Sequence, residues 1–284
     1  MIQATALNIE TLQRQLDTQV FGTGERLTYV PIVDSTNALA MKLALHETSE
    51  EGVVVLTDSQ TAGKGRLGRK WVDAFGYNVL SSTLLKPLFP PYLLVMIASL
   101  AIVDTIDEVC KIVAAIKWPN DVLIENRKVA GILIETSHDR TGRTIAIMGI
   151  GVNIYTYPTL TAEEQAIAHK AITLEMACGH RVSRETFIAR LLKHIETSYT
   201  ALQQEAVDPI ISAYRKGLGP TSRLIRERWR DRLATLGRSI EVRQGDTVIS
   251  GIAEEVDDNG ELLLRRHSGE RVSITWGDIG YPTE

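Results

Sequence analysis

The sequence predicts an α+β protein: a mixed, largely antiparallel sheet carrying helices, followed by a small β-barrel. Three observations carry the prediction. Short apolar runs separated by tight turns recur between residues 114 and 153, as in an antiparallel meander. Segments with helical spacing are interleaved with them. After Leu236-Gly237 the rhythm changes to brief strands joined by glycine-bearing turns, one of them Asn-Gly.

In chain order, residues 8–19 read as a short amphipathic helix that Phe21-Gly22-Thr23-Gly24 breaks. Leu27 to Val33 is a strand. Asp34-Ser35-Thr36-Asn37 then supplies capping groups for a helix running to about Leu45. Val53 to Thr57 and Asn78 to Leu85 are strands, and Pro90-Pro91 opens a long apolar helix ending near Cys110. Ala114–Lys117, Val122–Glu125, Val129–Glu135 and Thr144–Asn153 form the meander. Pro119, in the first of its gaps, holds the preceding residue extended. Helical spacing returns over 162–178 and 184–205. The tail strands are Ser239–Val242, Thr247–Val256, Glu261–Arg266 and Arg271–Thr275, an SH3-like barrel in miniature. The expected divisions are an N-terminal helical arm over 1–25, a main domain over 26–235 and the barrel over 236–284.

Composition narrows the function classes. The chain has 284 residues, 44% apolar and 23% charged, which suits one large and one small globular domain. A net charge of −4 makes a general affinity for nucleic acid unexpected. Cys110 and Cys178 make no disulfide framework. The first residues lack a basic start and a long apolar stretch, and Leu93 to Val103 is too short to span a membrane, so a cytoplasmic location is expected. The six histidines are scattered, and no Gly-x-Ser-x-Gly elbow offers a nucleophile.

The densest chemical signal is Gly63-Lys64-Gly65-Arg66-Leu67-Gly68-Arg69, directly after the strand at Val53. Glycines let a ligand approach main-chain N–H groups, and the cations between them add charge there. Such a loop suits an anion. Its letters also fit the dinucleotide pattern G-x-G-x-x-G, but no helix follows and no acid stands about 20 residues on. A Walker loop would need Ser or Thr after Gly-Lys, and none is present.

Three further segments sharpen the reading: Asp34-Ser35-Thr36-Asn37, Lys117-Trp118-Pro119-Asn120-Asp121, and Arg127 to Glu135. Together with Gln60 to Trp71, Gly149-Ile150-Gly151-Val152-Asn153 and the barrel tail, they closely resemble biotin–protein ligases over residues 26–284. The resemblance implies a class II synthetase-like catalytic domain and a two-step reaction. Biotin and ATP give biotinyl-adenylate and pyrophosphate, and a lysine of a biotin carboxyl carrier protein then takes the biotin. It implies Arg66, Lys128 and Lys117 as catalytic cations, which offset the repulsion between carboxylate and phosphate. It assigns biotin to Ser35, Thr36, Asn37, Gln60, Gly63, Arg66, Lys128 and Gly131. The nucleotide falls to Lys64, Arg66, Arg69, Trp71, Lys117, Asn120 and Asn153, with Asp121 a candidate ligand for Mg²⁺.

Plainer roles stand beside these. Asp34 or Ser35 can be a helix cap, Trp118 a core residue, Asp121 a turn former or a cation's partner, and Asn153 a turn residue. Lys64 departs from the family's usual arginine, keeping charge but losing the planar fork. Only 34 residues precede Ser35, too few for a winged helix-turn-helix, so sequence-specific DNA binding is not expected. No membrane partner is expected, and a homodimer stays open. Alternative readings are a lipoate–protein ligase and a non-catalytic adaptor.

Overall fold

The computed structural model describes residues 5–45, 50–155, 170–208 and 219–282. Its centre is a seven-stranded sheet in the order β1-β3-β5-β9-β8-β7-β6. These strands are β1 (Leu27–Tyr29), β3 (Val54–Thr57), β5 (Asn78–Leu85), β6 (Ala115–Lys117), β7 (Asp121–Ile124), β8 (Arg127–His138) and β9 (Thr144–Asn153). Every pairing is antiparallel except β1 with β3. The strand expected over Leu27–Val33 is split, because Pro31 donates no ladder hydrogen bond. Its second half, β2 (Ile32–Val33), pairs instead with β4 (Ser59–Gln60).

Helices cover both faces. On one side lies α2 (Thr36–Ala44), capped by the Ser35 hydroxyl, which accepts from the Ala38 N–H. Ala40 and Ala44 pack there on Val55, Leu84, Ile145 and Ile147. On the other side α3 (Tyr92–Cys110), apolar nearly all round, packs against the sheet and against α5 (Arg184–Val207). Being covered on both faces explains why all eight residues of β5 are buried. The short α1 (Ile9–Gln15) packs on α5.

The helix expected over 162–178 falls partly outside the described residues. Residues 156–169 lie outside the described residues, 170–173 are not helical, and α4 covers only Leu174–Cys178. The cause is Lys128, whose N–H donates to Lys170 O and whose carbonyl accepts from Ile172 N, both at 2.9 Å. A helix absent from the sequence reading, α6 (Pro220–Asp231), has proline at its start, and the buried Glu205 carboxylate accepts from Thr221 N and Ser222 N. Its arginine-rich make-up hides the Ile225 and Trp229 stripe.

The tail forms a five-stranded sheet, β13-β12-β11-β10-β14, from β10 (Ser239–Gln244), β11 (Thr247–Val256), β12 (Leu262–Arg265), β13 (Arg271–Ile274) and β14 (Asp278–Gly280). The last of these strands was not foreseen. The tail docks on the main sheet through Trp118, which is buried and donates from Nε1 to Gly260 O at 2.9 Å.

One buried ion pair ties distant segments together. Arg184 Nη1 donates to Asp58 Oδ1 at 2.8 Å and to Asn78 O at 3.2 Å, with both charged side chains almost wholly buried. Asp58 also accepts from Leu7 N and from the Tyr29 hydroxyl, and burial together with Asp58 pushes Tyr29 up to about 12. Removing one partner strands a buried charge. Arg184→Met is therefore expected to cost about 3–5 kcal/mol in urea unfolding. A loss under about 1 kcal/mol, the value of a surface pair, would contradict this.

Candidate active site

A cleft opens on the α2 face of the main sheet. Its floor is set by register. Gly151 on β9 stands opposite Leu80 on β5 and Gly131 on β8, and Gly149 stands opposite Ser82 and Leu133. Alternate residues of a strand share a face, so Gly131, Gly149 and Gly151 bare the backbone on one side of the sheet. That side is the one Ile145 and Ile147 present to α2.

Side chains lie directly on the bared backbone. A Cβ on Gly151 would fall 2.6 Å from Trp71 Cζ2, and one on Gly149 would fall 2.1 Å from Asn37 Oδ1. The glycines are therefore required by what rests on them. The Trp71 indole Nε1 is buried without a hydrogen-bond partner among the described residues.

The glycine-rich loop folds as a narrow hairpin against this floor. Trp71 N donates to Gly63 O at 3.0 Å, Lys64 bridges Lys70, and Gly65 N donates to Arg69 O at 2.7 Å. The turn at its tip puts Leu67 at φ 54° and Gly68 at φ 75°, a left-handed pair for which the second glycine is well suited.

Each cation has a defined seat. Arg66 Nη1 donates to Asn120 Oδ1 at 2.8 Å, and Asn120 is itself held by Ile132 O, also at 2.8 Å. Burial lowers the Arg66 guanidinium from its ordinary value, while Asp278 and Asp121 work in the opposite direction. Lys128 Nζ lies 2.6 Å from Asp121 Oδ1 and 5.6 Å from the centroid of the Trp71 ring. Arg69 pairs with Asp278 of β14, so the tail contributes a carboxylate to the cleft. Lys117, on β6 opposite Asp121, has its Nζ 5.3 Å from the Tyr281 ring. Burial lowers its ammonium from the ordinary 10.5, partly offset by Asp121.

The other end of the cleft is neutral and polar. Gln60 Oε1 accepts from Thr36 N at 2.9 Å, which turns the Gln60 amide nitrogen away from that bond. Gln60 N is held by the Asp73 carboxylate at 3.0 Å. Ser35 spends an oxygen lone pair on its cap, leaving its proton free to donate.

Twelve of the residues singled out in the sequence line the cleft: Ser35, Thr36, Asn37, Gln60, Lys64, Arg66, Arg69, Trp71, Asn120, Asp121, Lys128 and Gly131. Three do not. Gly63 closes the loop, and a Cβ there would fall 2.7 Å from Trp71 O. Lys117 stands beside the cleft. Asn153 faces the backbone, with Nδ2 donating to Lys128 O at 3.3 Å and Ile172 O at 3.4 Å, and so braces Lys128. Sequence reasoning missed Gly149 and Gly151 as floor, Lys70, Ser82, and Asp278. The alternation of two glycines within one strand was the available signal for the floor.

Comparison with known proteins identifies the family. A profile of the Biotin/lipoate A/B protein ligase family matches residues 29–153, and one of the Biotin protein ligase C terminal domain matches residues 235–279. The chain is 37% identical over 244 residues to the Biotin--[acetyl-CoA-carboxylase] ligase of Paracoccus denitrificans, spanning 84% of this chain and 94% of that protein. It is 31% identical over 258 residues to the Bifunctional ligase/repressor BirA of Bacillus subtilis, spanning 89% of this chain and 73% of that one. The structure of the Biotin protein ligase from Aquifex aeolicus in complex with biotin and ATP superposes with a TM-score of 0.72 at 25% identity, covering 90% of this chain and 98% of that chain.

The floor has a direct test. Gly151→Ala is expected to lift Trp71 from the sheet and shift tryptophan emission, with no shift in a Trp71→Phe background. An unchanged spectrum would show that Trp71 does not rest on Gly151.

Proposed function

We infer the activity from family and site together: the chain belongs to the biotin/lipoate A/B protein ligase family, and it is an ATP-dependent biotin–protein ligase. The observation that carries the assignment of residues is one cleft with a neutral polar end and a cationic end. Biotin has the matching form, a neutral ureido head and a carboxylate tail. The nucleotide's phosphates are the second anion.

In this reading Ser35, Thr36 and Gln60 take the ureido head, and Lys128 and Arg66 take the carboxylate. A carboxylate oxygen attacks the α-phosphorus of ATP, and the bond to the β-phosphate oxygen breaks, releasing pyrophosphate. A lysine amine of the carrier protein then attacks the acyl carbon, and AMP leaves. Both steps build negative charge on groups that would otherwise repel, so fixed cations are the main catalytic resource. Arg66 is already placed by Asn120 and needs no reorganisation. Lys64, Arg69 and Lys117 serve the phosphates, with Trp71 and Asn120 beside the nucleotide. The carrier is a biotin carboxyl carrier protein.

The described residues do not form a protein-held metal site. Asp121 is engaged by Lys128, and no group of three metal-ligating side chains occurs among the described residues. Mg²⁺ fits better as a companion of the nucleotide, carried on its phosphate oxygens and water. No helix among the described residues is long and apolar enough to cross a membrane.

Biotin-dependent exchange of pyrophosphate into ATP, followed by biotin transfer to a carrier domain, tests the assignment. Exchange with lipoate alone would sink it. Arg66→Ala is expected to lower kcat by about 10²–10³-fold, as for a lost transition-state donor. A drop of less than about fivefold would exclude that role.

Lys117 gives a pH signature. Its lowered value means that it loses its proton, and its attraction for phosphate, below the ordinary lysine value of 10.5. kcat/KM for ATP should therefore decline on the alkaline side below that pH. Lys117→Arg, which stays charged, should move the decline upward. An identical alkaline limb in the two proteins would remove Lys117 from nucleotide binding.

A further inference from the structure

Two polar side chains behind the neutral end of the cleft have no part in the reading above: Ser82 and Glu135. Register places both on the face of the glycine floor, Ser82 opposite Gly149 and Glu135 opposite Ile147. Ser82 is wholly buried and Glu135 half-buried. They belong to one chain of hydrogen bonds that ends at the ligand seat. Asn37 Nδ2 donates to Glu135 Oε2 at 2.6 Å. Ser82 Oγ lies 2.6 Å from Asn37 Oδ1 and 2.7 Å from Thr36 Oγ1. Thr36 Oγ1 lies 3.2 Å from Gln60 Oε1, which already accepts the Thr36 N–H.

Counting protons orders this chain. A carboxylate oxygen faces Asn37, so the amide presents its nitrogen there and its oxygen to Ser82. An amide oxygen only accepts, so the single Ser82 proton goes to Asn37. Ser82 Oγ then accepts from Thr36, because the 2.7 Å contact outweighs the 3.2 Å one in which the same hydroxyl would donate to Gln60 Oε1, and Thr36 turns its remaining lone pairs toward the cleft. The Leu133 carbonyl, 3.5 Å from Asn37 Nδ2, is too distant to hold that order by itself, so without an obligatory acceptor at position 135 the order can reverse. Asn37 would turn over and donate to Ser82, Ser82 would donate to Thr36, and Thr36 would become a donor.

We propose that Glu135 is a positioning residue that sets the hydrogen-bond polarity of the biotin seat. It makes Thr36 an acceptor while the Gln60 amide nitrogen and the Ser35 hydroxyl remain donors. A ureido ring needs both kinds of partner: the Thr36 oxygen takes one ring N–H, and the two donors meet the two lone pairs of the carbonyl. The inference rests on the biotin reading and specifies how the head is told from near-isosteres, since a site built around hydrogen bonds rejects ligands that leave its partners unpaired. The bare backbone of Gly149 is the second requirement, because the Asn37 amide occupies the space of its missing Cβ.

The test uses the intact protein and biotin-dependent pyrophosphate exchange. The probes are biotin and a biotin analogue methylated on a ureido nitrogen. In Glu135→Gln the residue can meet Asn37 with oxygen or nitrogen, so the order is no longer imposed. KM for biotin is expected to rise about tenfold, the equivalent of one hydrogen bond in a buried site. KM for ATP and kcat at saturating biotin should hold, and preference for biotin over the methylated analogue should narrow. Glu135→Asp, which keeps an obligatory acceptor, should recover part of the preference. Gly149→Ala, which displaces Asn37 by an independent route, should raise KM for biotin in the same direction. An unchanged KM and preference in Glu135→Gln would overturn the proposal. So would a fall in kcat with both ligands affected equally, the mark of a merely structural role. Absence of biotin-dependent exchange in the unmodified protein is a separate result, and would sink the biotin reading itself.

Discussion

The site depends on a strip of uncovered backbone. Two neighbouring strands place glycine on the same face, β8 at Gly131 and β9 at Gly149 and Gly151, and the antiparallel register brings them together. Everything above the strip uses the depth this creates. Trp71 and Asn37 descend to the sheet itself, at distances no Cβ would tolerate. The loop carrying Arg66 and Arg69 can then lie low over the cleft, because its closing residue Trp71 is seated. Glycine inside a strand weakens it, through lost packing and a costlier ordering of the chain. Here the strip lies in the middle of long pairings and beside the apolar patch under α2, so neighbours supply the stability these positions lack.

The second constraint is charge. Several cations gathered in one cleft repel one another, and a fold that buries them needs anions nearby. Two carboxylates meet that need, each from a different part of the chain. Asp121 comes from the meander and holds Lys128; Asp278 comes from the final strand and holds Arg69. Asn120 does the same work for Arg66 without charge. Backbone supports fix the lysine further: strand β8 carries Lys128, and residues 170–172 with Asn153 grip its main chain from the side. Asn153, read from the sequence as a nucleotide contact, spends its amide nitrogen on Lys128 O and Ile172 O and so braces the main chain of the lysine.

Legibility of the fold followed the range of the interactions. Strand Thr144–Asn153 and the hairpins of the tail could be read because alternation and Asn-Gly turns are local signals. Helix α6 could not, since its start is capped by Glu205, fifteen residues earlier, and its arginines mask a thin apolar stripe. Lys170 to Thr173 look helical until Lys128 is brought alongside to compete for their backbone groups. The cleft divides the same way. Residues in compact motifs, such as Gln60 to Trp71 and Lys117 to Asp121, carry their chemistry in adjacent letters. Ser82, Glu135 and Asp278 carry theirs only through register, and a serine in a strand or an aspartate near the end of the chain says nothing alone.

The balance of charge also bears on how the reaction can proceed. The carboxylates of Asp121 and Asp278 sit on Lys128 and Arg69, two cations that the proposed reading gives to the substrates. An anion arriving at Lys128 or Arg69 therefore exchanges with an internal carboxylate. Affinity for each substrate is reduced by the pair that must open, which for a partly exposed pair is a small cost of about 1 kcal/mol or less. Specificity gains, since a single weak anion has little advantage over the carboxylate already in place, whereas a ligand bringing a matched neutral head or several phosphate oxygens does. On the proposed reading Lys128 and Arg69 turn to the substrates as their anions displace Asp121 and Asp278, while Arg66, held by the neutral Asn120, stays in place.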